Sequence, residues 1–420
     1  MNQTIRKSAK VMTWLCTLVY FASYTMRLNF AVMLVKVCSE LNVEKSAVAI
    51  VVTCFTVTYG VGQIVCGFIA DKIKPQYLLS TGIFMASICN FTMFLSTSIP
   101  MMATAWALNG FANALFWPPI VKLFSVYMNE DEYSYGVVRV SWGSSIGTIV
   151  LYLLCPALLT FMKWRQIILC YSIFGMIIFA VWQIVYPKIF VNPLNIEISR
   201  KTSDTSQQET SKKQTVKMPY SIYIPLAFIM TAIIFQGMLR DGVTNWMPSF
   251  LLESFQIPEE KAIVATVILS VFSMISFWLF ERINTKFFKN EVNCATFTFS
   301  IAVTTSAILY ILNKTFSSVL LSMLLMAVIV ACMHGINLML IGIVPKRFTK
   351  VGKTATFSGI LNAGTYIGSS ISTYGFAVLA EKFGWGFTIM TWVIISALGI
   401  VACKFAIAFG WTKKYQEYLN

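Results

Sequence analysis

Two arginines stand where arginine is costly. Arg27 lies in YFASYTMRLNFAVML and Arg240 in IIFQGMLRDGVTNWM, each a little past the middle of a long apolar run. A guanidinium stays protonated, and inside a membrane it costs about 3 kcal/mol or more unless it meets water, a counter-ion or a ligand. Its fixed fork of N–H donors fits carboxylate or phosphate oxygens two at a time. Two such forks converging on one cavity would suit a small anion, with phosphate the best geometric match. Snorkelling or structural pairing is the competing role for each arginine taken alone. Asp241 follows Arg240 directly and could neutralise it, but neighbouring helical residues point roughly 100° apart, so adjacency alone does not make them a pair.

Other hydrogen-bonding groups fall at the same levels. Tyr20 and Tyr24 precede Arg27 by seven and three residues, which puts all three on one helix face. Gln236 precedes Arg240 by four and shares its face. Gln63, His334, Asn337, Asn362 and Tyr366 lie in further apolar runs and could bond a ligand, with a helix–helix hydrogen bond as the alternative for each. His334 is the only histidine, so it is either a proton site or, as the stronger reading, a structural hydrogen-bonding group.

The elements that must hold these groups are membrane helices. Of 420 residues, 57% are hydrophobic and 12% charged, against about 25% charged in soluble domains, so a soluble core is excluded. Apolar runs long enough to cross a bilayer fall at 11–35, 48–70, 77–97, 100–127, 136–160, 166–187, 219–250, 262–280, 293–312, 317–344, 354–380 and 386–409. The fold class expected is an all-α membrane protein. Its halves would be 1–187 and 218–420, joined by a polar linker at 188–217 that contains SRKTSDTSQQETSKKQ. With the N-terminus inside, 20 of the 32 Lys and Arg fall on one face, so both termini are expected to be cytoplasmic. The net charge of +15 then records topology and does not point to nucleic acid.

Other chemistries lack parts. No GxxxxGK[ST] sequence is present, no acids cluster on a soluble domain, and the ten cysteines are scattered without a CxxC pair. The chain therefore reads as no enzyme, with no cofactor, no metal and no cleavable signal peptide.

The two halves repeat. Arg27 matches Arg240 at an offset of 213, Asp71-Lys72-Ile73 matches Glu281-Arg282-Ile283 at 210, and the Gly143/Gly147 pair matches Gly364/Gly368 at 221, as Trp164 matches Trp385. Parallel six-helix repeats of this kind place substrate between the halves near the bilayer midplane. The glycines would let helices approach closely where the two halves pack and rock, or serve ordinary helix packing. Asp71 and Glu281, each an acid at a cytoplasmic helix end followed by a base, are expected to gate by clamping neighbouring helices.

These residues resemble the organophosphate:inorganic phosphate antiporter family of the major facilitator superfamily. SYTMRLNF is similar to its tyrosine-rich first helix, and LRDGVTNWMPSFLLESF to its seventh. FWPPIVK and GKTATFSGILNAGTYIGSS resemble its fourth and eleventh. The resemblance implies the major facilitator fold, with 12 transmembrane helices in two pseudo-symmetric halves. It also implies Arg27 and Arg240 as phosphoryl ligands with Tyr20 and Tyr24 lining the cavity. Where a glycerol-phosphate carrier of that family has a lysine in the second helix this chain has Gln63, and where many members have a histidine in the fifth it has Ser144 and Ser145. The expected function is exchange of a sugar phosphate or glycerol phosphate for inorganic phosphate by alternating access, in a monomer embedded in a bacterial inner membrane. A proton-coupled organic-anion symporter and a transporter-like sugar-phosphate sensor are the alternatives.

Overall fold

A computed structural model describes residues 6–43, 45–191, 220–315 and 318–411. Each of the twelve apolar runs falls on a helix. We number them α1 (Lys7–Val32), α2 (Lys45–Lys72), α3 (Pro75–Leu95), α4 (Ile99–Ala114 continued by Trp117–Tyr127), α5 (Glu130–Leu159) and α6 (Trp164–Val191) in the first half. The second half comprises α7 (Tyr223–Phe255), α8 (Val267–Ile283), α9 (Glu291–Thr315), α10 (Val319–Asn337), α11 (354–383) and α12 (385–408). Among the described residues, nine helices are long and apolar enough to cross a membrane, the last of them, Thr354–Ala408, taking α11 and α12 together.

Local chemistry sets the helix ends. Gly384 takes φ 76°, a left-handed conformation that glycine adopts without steric cost, and so breaks α11 from α12 within one residue. Pro118 and Pro119, which lack N–H donors, sit in the first turn after the break in α4. At the start of α5, Asn129 and Glu132 form a capping box, and Glu130, Asp131 and Glu132 place negative charge against the positive end of the helix dipole. The α6 helix continues to Val191, so residues 188–191 of the expected linker are helical. The remainder of that linker, and Lys413 and Lys414, lie outside the described residues.

The two halves use the same pairings: α1 with α5, α2 with α4 and α3 with α6 correspond to α7 with α11, α8 with α10 and α9 with α12. The repeated glycines serve these internal pairings. A Cβ on Gly143 or Gly147 would press on Thr17 and Phe21 of α1, and one on Gly364 or Gly368 on Met230 and Ile234 of α7. The expectation that they mediate packing between the halves is therefore corrected. Close approach between halves falls to Gly67 of α2 and Gly359 of α11, where a Cβ on Gly67 would lie 3.2 Å from the Gly359 Cα.

Candidate anion-binding site

The helix pairings bring side chains from both halves to one small cavity of about 30 Å³. Tyr20 and Tyr24 of α1, Trp117 of α4, and Ser141 and Ser144 of α5 form one wall. Arg240 of α7, Phe277 of α8, His334 and Asn337 of α10, and Asn362 and Tyr366 of α11 form the other. Helical spacing explains the first wall: Tyr20 and Tyr24 are one turn apart and touch edge to face, with centroids separated by 5.2 Å.

Arg27, one turn beyond Tyr24, sits behind that ring and does not line the cavity itself. Its Cζ lies 4.1 Å from the Tyr24 ring centroid and 5.0 Å from that of Tyr59 on α2. Tyr59 packs on Tyr366, and the Arg240 Cζ lies 6.0 Å from the Tyr366 ring. The two arginines are thus joined through aromatic rings from both halves. Tyr59 was not among the residues expected at the site, although it lies on the α2 face one turn before Gln63.

Among the described residues Arg27 has no carboxylate partner and makes no hydrogen bond, and its Nε is buried without a partner. A cation over a ring gains about 0.5–2 kcal/mol, which offsets part of the cost of burying the charge. It leaves the Nε–H donor unfilled, and an unfilled buried donor costs about 1–3 kcal/mol. The described chain supplies no acceptor for that Nε–H.

Arg240 differs. Its Nε donates to Asp241 Oδ1 at 2.6 Å and its Nη2 to Oδ2 at 2.9 Å. The neutralisation that adjacency alone left open is thus made. The 100° separation governs the directions in which the side chains leave the helix, whereas the long arginine side chain can fold back onto its neighbour. The site accordingly holds two guanidiniums and one carboxylate, a formal excess of one positive charge.

The other expected residues divide clearly. His334, Asn337 and Asn362 line the cavity, and none makes a side-chain hydrogen bond to a described residue. The structural hydrogen bond expected of His334 is thus not made. Its ring instead meets Phe277 edge to face at 5.4 Å. Gln236 is fully buried, donating to the Met333 carbonyl at 3.1 Å and accepting from Thr365 at 3.3 Å, so it joins α7 to α10 and α11. Ser145 is buried away from the cavity, which Ser144 reaches instead. Gln63 is fully buried, lies outside the cavity, and leaves both amide heteroatoms without a partner.

A buried asparagine network braces α1 beside Arg27. Asn90 of α3 and Asn109 of α4 each donate to the Met26 carbonyl at 3.0 Å, and Asn29 donates to Asn90 at 2.8 Å. The sequence offered a signal in these amides within apolar runs, but no spacing rule to link them.

The face carrying Arg6 and Trp411 is held shut between the halves. Asp71 at the end of α2 accepts from the Ala355 and Thr356 backbone N–H groups at 3.0 and 2.8 Å, capping the positive end of α11. Tyr133 donates to the Gly342 carbonyl across the same interface at 2.5 Å. Glu281 makes no matching cap among the described residues. The start of α5, its repeat-equivalent target, already holds its own capping box and three acids, so a further carboxylate would be repelled. Glu281 lies instead within electrostatic reach of Arg139 on the opposite half.

Comparisons with known proteins identify the family and the fold. The model of the Major Facilitator Superfamily matches residues 13–373. The chain is 21% identical over 387 residues to a probable hexose phosphate transport protein of Chlamydia trachomatis serovar D, covering 87% of this chain and 84% of that protein. It is 24% identical over 412 residues to the glycerol-3-phosphate transporter of Bacillus subtilis strain 168, covering 93% of this chain and 88% of that protein. Among solved structures, the proton:xylose symporter XylE shares the fold with a TM-score of 0.75 at 13% identity, covering 96% of this chain and 95% of the other.

Proposed function

Because the chain belongs to the Major Facilitator Superfamily, and so is a multi-pass membrane transporter, we propose that it carries small phosphorylated organic anions in exchange for inorganic phosphate. The observation that carries this reading is the unpartnered Arg27 guanidinium facing, across a layer of tyrosines, a second arginine on the opposite half. The two forks bind phosphoryl oxygens, and Asn337, Asn362 and His334, unfilled by the described chain, bond the remainder of the substrate. The names of the hexose phosphate and glycerol-3-phosphate carriers to which the chain is similar support the same substrate class.

Transport proceeds by alternating access of a monomer whose halves, 1–187 and 218–420, rock about this site. A cavity of about 30 Å³ has room for a water or two, so a sugar phosphate enters only after the halves separate. Asp71 keeps the terminus-bearing face closed, and its release from α11 accompanies opening there. We place that face in the cytoplasm, in a bacterial inner membrane. Counterflow in proteoliposomes tests the proposal: phosphate-loaded vesicles should take up sugar phosphate or glycerol phosphate saturably, and absence of exchange with every phosphate ester would overturn it.

A second reading, proton-coupled organic-anion symport, draws on His334 and Asp241 near Arg240. It requires uptake driven by a pH gradient and lost in His334→Gln.

A further inference from the structure

The two halves treat their arginines differently, and the difference starts in the sequence: Arg27 is followed by Leu28, Arg240 by Asp241. We propose that Asp241 is a built-in competitor for Arg240, holding its fork in the empty carrier and yielding it to the anionic group of the substrate. The inference rests on the proposed transport of phosphorylated anions and names the residue that sets how tightly that site holds charge.

The geometry supports a competitor. Asp241 engages Nε and Nη2, an edge of the guanidinium that would otherwise grip two phosphoryl oxygens. The pair is largely buried but not sealed, with side-chain exposures of 14% for Arg240 and 23% for Asp241, and Arg240 lines the cavity while Asp241 does not. The carboxylate is therefore placed to leave sideways as a ligand arrives from the cavity. No carboxylate does the same for Arg27 among the described residues, so only the Arg240 fork has an internal competitor.

Two consequences follow from charge. A bound phosphate dianion must displace Asp241 and remain near it, which weakens binding relative to two bare arginines. The empty carrier has one uncompensated positive charge instead of two when its halves close, so its return without substrate meets a smaller desolvation barrier. Asp241 thus trades affinity for the ability to reset.

The test uses the full chain in proteoliposomes with inorganic phosphate as the probe, comparing wild type, Asp241→Asn and Asp241→Glu. Asp241→Asn should bind phosphate about tenfold more tightly or better, and its net phosphate efflux should fall about tenfold relative to phosphate:phosphate exchange. Asp241→Glu, which keeps a carboxylate within reach, should return both quantities toward wild type. Unchanged or weaker phosphate binding in Asp241→Asn, with its thermal unfolding unaltered, would overturn the inference while wild-type exchange left the transport reading intact. A wild-type protein that binds neither phosphate nor any phosphate ester would remove both.

Discussion

The rings of Tyr59 and Tyr366 meet edge to face across the boundary between the two halves, with centroids 4.7 Å apart. Tyr59 also lies against Arg27, and Tyr366 against Arg240. One aromatic pair thereby connects both charged groups of the site to the surface along which the halves separate. A rearrangement of the halves must change the surroundings of both arginines together.

The ring of Tyr59 should matter more than its hydroxyl. Tyr59→Leu removes a cation–ring contact of about 1 kcal/mol and is expected to raise KM for exchange about fivefold, with Tyr59→Phe near wild type. Initial exchange rates against substrate concentration check this. Equal losses in both variants would move the role to the hydroxyl.

The gate is expected to be asymmetric. Asp71→Ala loses the cap on α11, worth about 1–2 kcal/mol, and should speed amide hydrogen exchange in the first turn of that helix about five- to thirtyfold. Glu281→Ala should leave protection at the start of α5 unchanged, because Asn129 and Glu132 cap it already.

Removal of Asn90 should destabilise the first half. Asn90→Ala strips a hydrogen bond from the Met26 carbonyl and leaves the Asn29 Nδ2 donor unpaired, a loss of about 1–3 kcal/mol. Thermal unfolding of the purified protein should shift down accordingly, and exchange should weaken as Arg27 loses its brace. An unchanged unfolding transition would show that water replaces the lost bonds.

Gln63 should respond in the opposite direction. Its two unpartnered amide atoms oppose the closed arrangement, so Gln63→Leu is expected to raise stability by about 1–3 kcal/mol without raising KM. A raised KM would place Gln63 among the substrate contacts.

Hydropathy made the twelve helices and their two-fold repeat legible, because crossing a bilayer imposes length and composition on every span. The arginines were legible for the same reason, being costly there. Side-chain destinations were less so. Gln236 and Asn362 look alike as amides in apolar helices, yet only packing decides that the first is satisfied by Met333 and Thr365 while the second faces the cavity. Repeat matching also overstated symmetry: Asp71 and Glu281 occupy equivalent positions, but the helix ends opposite them differ in their own caps. The pairing of Arg240 with Asp241 escaped because helix geometry fixes where side chains begin, not where long ones end.

Phosphate-loaded proteoliposomes offered a labelled sugar phosphate or glycerol phosphate, with wild type beside Arg27→Lys, test the central claim most directly. The expected result is saturable counterflow in wild type, and its loss by about a hundredfold or more in a well-folded Arg27→Lys, since a single ammonium cannot replace the fork. Counterflow of similar rate in the two proteins would contradict the assignment of Arg27 as the phosphoryl ligand.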